Sequence, residues 1–154
     1  MAPEVARAIH ACLATAPGFE GLRDEVEALG FFETANYGSD IRWTHAEGHE
    51  VFLSIADSQS TCSVWFDGDY QTGVAEVARL LTEEGYPAGV HADQMGAAWR
   101  IGDNRQLRLA ARERDTKPKR AVDPGFRRLA ENLQLVKKQG YEQRLCAALF
   151  VQRN

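Results

Sequence analysis

The chain has 154 residues, of which 44% are hydrophobic and 26% are charged, with a formal net charge of −4 at pH 7. This length suits one domain around a single core, and no window approaches the ~18 apolar residues of a membrane span. Glu4, Arg7 and His10 interrupt the apolar stretch at the N-terminus, which does not fit a signal peptide. We therefore expect a single domain over residues 1–154, in the cytoplasm and not in a membrane.

The charge is unevenly distributed along the chain. Residues 1–111 carry 7 Lys and Arg against 17 Asp and Glu, a net charge of −10, whereas residues 112–154 carry 11 against 5, a net charge of +6. An acidic body is poorly suited to nucleic acid, but a basic C-terminal third is well suited to phosphate.

The three cysteines, Cys12, Cys62 and Cys146, are far apart and form no CxxC pair. This pattern predicts three reduced thiols buried as small apolar residues in a cytosolic protein. It favours neither a disulfide framework nor a zinc cage.

Two helices are predicted in the first 30 residues, the second ending at Gly30, which is a natural C-terminal cap. Their apolar stripes consist of Val5, Ile9, Cys12 and Leu13 in the first and Phe19, Leu22, Val26 and Leu29 in the second. A short strand opening with Phe31 is expected to follow, and then a turn at residues 37–40.

The segment His45–Glu50 holds two histidines and two glutamates, and strand register decides its interpretation. Apolar residues should face apolar residues across a hairpin, which favours an odd loop centred on Gly48. That loop pairs Ile41 with Ile55, Trp43 with Leu53, and His45 with Val51, and leaves His49 in the loop. A zinc site would require both imidazoles to converge with a third ligand at ~2.0–2.1 Å. This register arranges no such convergence, so we predict a hairpin turn, no metal ion and no other cofactor.

Residues 61–66 form an alternating strand with Cys62, Val64 and Phe66 on one side and Trp65 on the other. The Asp-Gly-Asp run at 67–69 resembles the start of a calcium loop, but position 12 of that loop would be Ala78, where an EF-hand requires glutamate. A turn into a helix that ends at Gly85 is therefore predicted.

A second hairpin is predicted after that helix, and its odd loop pairs Trp99 with Leu109. The same register pairs Ile101 with Leu107 and Ala97 with Ala111. The two hairpins lie 56 residues apart, and each follows an amphipathic helix that ends in glycine. This pattern favours an internal helix-plus-hairpin duplication, with convergent packing as the alternative.

The C-terminal part begins with a charged linker at residues 112–122. A helix is then expected to start at the Asp123 cap and to end at Gly140. The apolar segment 145–151 is expected to be a buried strand, with a helix end as the alternative.

The predicted fold is thus α+β, an antiparallel meandering sheet with helices packed on one face. This element order is loosely similar to that of type III secretion chaperones, but no motif carries over residue by residue, so the sequence identifies no family.

The sequence contains no nucleotide-binding, hydrolase or metalloprotease motif, and we assign no catalytic residue.

The leading hypothesis is a non-catalytic binding or adaptor protein of chaperone or regulatory type, which recognises a protein partner through its sheet face or an edge strand. Its candidate anchors are Tyr37, Trp65 and Tyr70. A second copy of the chain is an alternative partner. The alternative function is nucleic-acid binding through Lys117, Lys119, Arg120, Arg127, Arg128, Lys137 and Lys138. A small enzyme of unknown reaction is the third hypothesis.

Overall fold

A computed structural model describes residues 1–86, 89–92, 96–112 and 143–152. The predicted linker, the predicted C-terminal helix and all seven candidate nucleic-acid-binding residues lie outside this part of the chain. The described residues form three helices and an antiparallel sheet, so the predicted α+β fold is confirmed. No helix among them is long and apolar enough to cross a membrane.

The helices are α1 (Pro3–Thr15), α2 (Leu22–Ala28) and α3 (Tyr70–Glu83). The strands of the first half are β1 (Phe31–Asn36), β2 (Asp40–His45), β3 (Glu50–Ile55) and β4 (Gln59–Gly68). The strands of the second half are β5 (Val90–Ala92), β6 (Gly96–Gly102), β7 (Arg105–Arg112) and β8 (Gln143–Gln152).

The strand order is β1-β2-β3-β4-β8-β7-β6-β5, so two four-stranded meanders meet at the centre of the sheet. There β4 and β8 pair antiparallel from Gln59 opposite Gln152 to Gly68 opposite Gln143. The last apolar segment of the chain is therefore a strand, as expected. The strand β4, which contains the strand predicted at 61–66, has β8 as its counterpart in the second half. The two halves share this arrangement, and their origin by duplication remains a prediction.

One face of the sheet, which we call the inner face, carries the buried side chains. Trp43 and Trp99 are 1% and 0% exposed at corresponding positions of β2 and β6. Burial alternates along the strands because successive side chains point to opposite faces. The inner face also includes Val51, Leu53, Cys62, Val64, Phe66, Leu107, Leu109, Leu145, Leu149 and Val151.

The helix α3 contacts the inner face closely at Gly73. A Cβ atom there would lie 3.1 Å from Cδ1 of Leu145 and 3.2 Å from Cδ2 of Leu109, so glycine allows the helix to approach the sheet. The N-terminus of α3 is capped by Asp69, whose carboxylate accepts a hydrogen bond from the backbone N–H of Thr72 at 2.9 Å.

The helix α1 is joined to the inner face by a disulfide between Cys12 and Cys62, with the two Cα atoms 5.8 Å apart. The prediction of three reduced thiols is therefore wrong for these two residues. They are 50 residues apart in sequence, and a pattern read along the chain does not show that α1 packs over β4. Cys146 is free.

The predicted register of both hairpins is wrong by two residues. Trp43 pairs with Val51 and not with Leu53, and Trp99 pairs with Leu107 and not with Leu109. A shift of two leaves every side chain on the same face, so hydrophobic alternation cannot distinguish the two registers. The faces were predicted correctly, and the turns were not.

Candidate functional site

The second face of the sheet, which we call the outer face, combines aromatic side chains with arginines. The side chains that alternate with the buried ones point to it. Its aromatic and charged members on the described strands include Phe32, Asp40, Arg42, Glu50, Phe52, Trp65, Asp67, Arg100, Arg108, Arg112, Arg144 and Phe150. Four of the five arginines are exposed, and Arg144 is half-buried.

Three half-buried aromatic residues occupy the centre of the outer face on adjacent strands. Phe52 of β3 lies opposite Ser63 of β4, which places it diagonally next to Trp65, two residues further along the same strand. Phe150 of β8 lies opposite Thr61 of β4. Aromatic side chains in such positions keep apolar area that a partner can bury.

Two depressions open on this face. Arg42, Glu50, Phe52 and Trp65 line the smaller one, with a volume of about 310 Å³. The larger one has a volume of about 520 Å³ and lies by the β6–β7 turn. Its lining consists of Gln59, Arg100, Gly102, Asp103, Asn104, Arg105, Gln106, Arg108, Phe150 and Gln152.

Two of the arginines stack on the aromatic rings. Cζ of Arg112 lies 5.0 Å from the centroid of the Trp65 ring, and Cζ of Arg108 lies 5.7 Å from that of Phe150. These are cation–π distances. Within the described ranges Arg42, Arg108 and Arg112 form no ion pair with a carboxylate, so their charges are not neutralised there.

Arg144 differs from these three because it is tied into the sheet. Its Nη2 donates a hydrogen bond to the Gly48 carbonyl at 3.1 Å and lies 3.4 Å from Oε2 of Glu50. Its Nη1 lies 3.4 Å from Oδ1 of Asp67. Arg144 therefore fixes the β2–β3 turn to the central strands and neutralises carboxylates of the outer face.

Cys146 lies on the outer face opposite Trp65. Burial raises the pKa of this thiol to about 11, against the opposing effect of the nearby charges of Arg112 and Arg144. The sulfur is therefore a thiol at neutral pH and not the thiolate that a nucleophile requires.

The structure does not bring the three predicted anchors together. Trp65 lies on the outer face, whereas Tyr37 is 80% exposed in the β1–β2 turn. Tyr70 is the first residue of α3 and packs partly buried against the core. Sequence reasoning overlooked Phe52 and Phe150. The signal for Phe52 was present, because Val51 and Leu53 on the inner face require it to point outward.

A second group of side chains, which offer potential metal-ligand atoms, lies where the β2–β3 hairpin meets the first turn of α1. Glu4, His45 and His49 place one potential ligand atom each within 4.8 Å of the others. Nε2 of His49 lies 3.2 Å from Oε1 of Glu4, and the two imidazole centroids are 5.4 Å apart. The argument that no third group converges on these histidines is therefore wrong, and it failed because of the register.

The true register places the two histidines opposite each other. The backbone N–H of His45 donates to the carbonyl of His49 at 2.8 Å, and the N–H of Gly48 donates to the carbonyl of His45 at 2.9 Å. Gly48 has a φ of +92°, which suits glycine at the third position of a three-residue hairpin loop. His49 thus ends the loop on the same face as His45.

No protein family, curated protein or solved structure matches this chain.

Proposed function

We propose that the chain is a non-catalytic binding module that holds an acidic, partly apolar segment of a partner protein against its outer face. The observation that carries this proposal is the stacking of Arg112 and Arg108 on Trp65 and Phe150, with no carboxylate pairing either arginine among the described residues. Such a surface offers apolar area and unneutralised positive charge in the same place.

The residue types of this surface are those that contribute most to binding between proteins. Tryptophan and arginine are enriched among the few residues that carry most of the binding energy. A guanidinium binds a carboxylate through two parallel hydrogen bonds, and its stacking on an aromatic ring holds it in position for this. A third guanidinium is that of Arg42, which lines the depression beside Phe52 and Trp65.

An acidic partner is supported by the charge of the two sides of the molecule. The three helices carry six carboxylates and three arginines. The outer face instead carries five arginines and three carboxylates, those of Asp40, Glu50 and Asp67, of which the last two lie 3.4 Å from Arg144. An acidic segment is therefore attracted to the outer face and repelled by the helices.

A protein partner is favoured over nucleic acid by the state of the aromatic rings. Base stacking requires free aromatic faces, but guanidinium groups already stand over the rings of Trp65 and Phe150.

Recognition through the face is favoured over recognition through an edge strand. The edge strand β1 contains an irregularity between Glu33 and Ala35, and bulges of this kind hinder the addition of another strand. The other edge strand, β5, spans three of the residues that the structure describes, Val90–Ala92.

Selection from a random displayed peptide library tests the proposal with defined probes. We expect enrichment of peptides that combine Asp or Glu with aromatic or aliphatic residues. Arg108→Gln together with Arg112→Gln should weaken their binding at least about tenfold, because a hydrogen bond to a charged group contributes about 1.5–3 kcal/mol.

Arg79→Gln is the matched control, because Arg79 lies on α3 with its side chain 73% exposed and only a long contact of 3.9 Å to Glu83. Its loss should leave peptide binding unchanged. A library that yields no acidic enrichment contradicts the proposal. Tight binding of a single-stranded oligonucleotide that depends on Arg108 and Arg112 would assign the surface to nucleic acid instead.

A further inference from the structure

Three side chains from separate segments meet at the turn end of the β2–β3 hairpin, on the opposite side of the sheet from the outer face. Glu4 belongs to the first turn of α1, His45 is the last residue of β2, and His49 directly precedes β3. Both histidines share the side of the hairpin that carries Trp43. Hence the position of the cluster follows from the hairpin register and from the packing of α1.

The backbone that presents these side chains is held at several points. The hairpin is closed by the two backbone hydrogen bonds that connect His45 with His49 and Gly48. The helix that carries Glu4 is joined to β4 by the disulfide between Cys12 and Cys62. A constellation supported in this way can bind without reordering the main chain.

We infer that Glu4, His45 and His49 form a binding site for one borderline divalent cation of the zinc type. Two imidazoles and one carboxylate are an established donor set for Zn²⁺, with the fourth position left to water. Oxygen-preferring cations such as Mg²⁺ and Ca²⁺ are disfavoured because two of the three donors are nitrogen.

The distances are close to those that the ion requires. With bonds of ~2.0–2.1 Å, the ligand atoms of a tetrahedral site lie roughly 3.4 Å apart. The separation of 3.2 Å between Nε2 of His49 and Oε1 of Glu4 already matches this value. The ligand atom of His45 lies within 4.8 Å of the other two and has to move closer.

The state of Glu4 also suits a metal ligand. Its pKa is lowered chiefly by a hydrogen bond from its own backbone N–H; burial opposes this shift, and the charges of His49 and His45 add smaller effects that lower the pKa further. The carboxylate is therefore ionised at neutral pH, as a ligand must be.

His45 limits the affinity of the site. Its Nδ1 accepts a hydrogen bond from the backbone N–H of Glu47 at 3.1 Å, which places the ring proton on Nε2. A metal ion must either replace the Glu47 N–H at Nδ1 or bind at Nε2 after the ring proton has moved to Nδ1, and both routes break this hydrogen bond. Because binding competes with this contact, we expect a dissociation constant in the micromolar range.

Calorimetric titration of ZnCl₂ into the full chain tests the inference. The protein should carry no polyhistidine tag, should be stripped with a chelator, and should contain Cys146→Ser so that the free thiol does not bind the metal. We expect one Zn²⁺ per chain. Glu4→Gln and His49→Gln should each weaken binding about 100-fold or more, since the loss of even an outer contact to a ligand costs 10–100-fold.

His10→Gln is the matched control, because Nδ1 of His10 lies 3.1 Å from Oε1 of Glu84, a histidine–carboxylate pair outside the cluster. This variant should bind zinc like the parent protein. The absence of saturable binding in the parent, or unchanged binding after His49→Gln, would overturn the inference.

Nuclear magnetic resonance of the imidazole nitrogens provides a second measurement that needs no ligand variant. One equivalent of Zn²⁺ should shift the ring nitrogens of His45 and His49 and leave those of His10 in place. Equal shifts of all three, or no shift, would contradict the site. Neither result bears on the outer face, so this inference and the proposed function fail independently.

Discussion

His45 and His49 face each other across the first hairpin, joined by a hydrogen bond of 2.8 Å from the backbone N–H of His45 to the carbonyl of His49. This pairing places both imidazoles on one face of the hairpin, next to the buried pair of Trp43 and Val51. With the longer loop suggested by the sequence, His45 would face Val51 and His49 would lie in the loop. A difference of two residues in register therefore decides whether the cluster with Glu4 exists.

Truncation of Trp43 or Trp99 tests the equivalence of the two hairpins. Both side chains are fully buried, so Trp43→Ala and Trp99→Ala should each lower the free energy of unfolding by about 3–5 kcal/mol. Chemical denaturation measures the loss. Unequal effects, with one variant near the parent, would contradict corresponding core positions.

Phenylalanine variants at the same positions separate packing from hydrogen bonding. The indole N–H groups of Trp43 and Trp99 have no hydrogen-bond partner among the described residues, so Trp43→Phe and Trp99→Phe should cost much less than the alanine variants. In a Trp65→Phe background, the remaining tryptophan fluorescence should be blue-shifted and poorly quenched by iodide. A solvent-exposed emission would show that one of the two is not in the core.

The residues of this core show what the sequence could predict and what it could not. Alternation assigned Trp43, Val51, Trp99 and Leu107 to one face, because the period of a strand is fixed. The same alternation cannot distinguish two registers that differ by two residues, and the turn decides which of them forms. Gly48 ends a three-residue loop with a φ of +92°, a conformation that glycine favours. The pairing of hydrophobic residues carries no information about this preference.

Thiol counting tests the disulfide. Of the three cysteines, only Cys146 is free, so denatured protein should show one reactive thiol without reductant and three after reduction. Three thiols without reductant in protein handled under air would contradict the bond between Cys12 and Cys62. In the folded protein, Cys146 should react slowly near pH 8, because burial raises its pKa to about 11.

The stability supplied by this bond is also measurable. It closes a loop with a sequence separation of 50, for which restriction of the unfolded chain corresponds to about 4 kcal/mol. Cys12→Ala with Cys62→Ala should lower the free energy of unfolding by an amount of this order. Disulfides are rare in a reducing cytosol, so the redox state of this pair in cells tests the predicted cytoplasmic location.

The cap of α3 should produce a defined pH dependence of stability. Hydrogen bonds from the backbone N–H and the hydroxyl of Thr72 lower the pKa of Asp69 below its ordinary value. The stabilisation is therefore complete above the ordinary pKa of about 4 and is lost as the pH falls through the lower pKa of the folded state. Asp69→Ala should cost about 1 kcal/mol at neutral pH and less in acid.

Asp69→Asn is the control for this prediction, since asparagine caps a helix about as well as aspartate but does not titrate. Thermal unfolding between neutral pH and pH ~3 should show a stability difference between Asp69→Ala and the parent that shrinks in acid. The difference between Asp69→Asn and Asp69→Ala should stay constant. A cost of Asp69→Ala that is independent of pH would contradict the lowered pKa.

The candidate sites were harder to predict than the core because each depends on contacts between distant segments. Glu4 and His49 are 45 residues apart in sequence, and Glu4 reaches His49 only because α1 packs over the sheet. Likewise, Arg112 stacks on Trp65 because β8 brings β7 and β4 to its two sides. The outward direction of Trp65 was predictable from the sequence, but its neighbours were not.

The most direct test of the outer face is to map an acidic peptide, selected as described above, on the protein by backbone amide chemical shifts. The proposed function predicts that shifts cluster on β3, β4, β7 and β8 around Phe52, Trp65, Arg108 and Arg112, while the amides of α1 and α3 stay in place. Shifts confined to the helices, or to the edge strand β1, would contradict a binding site on the outer face.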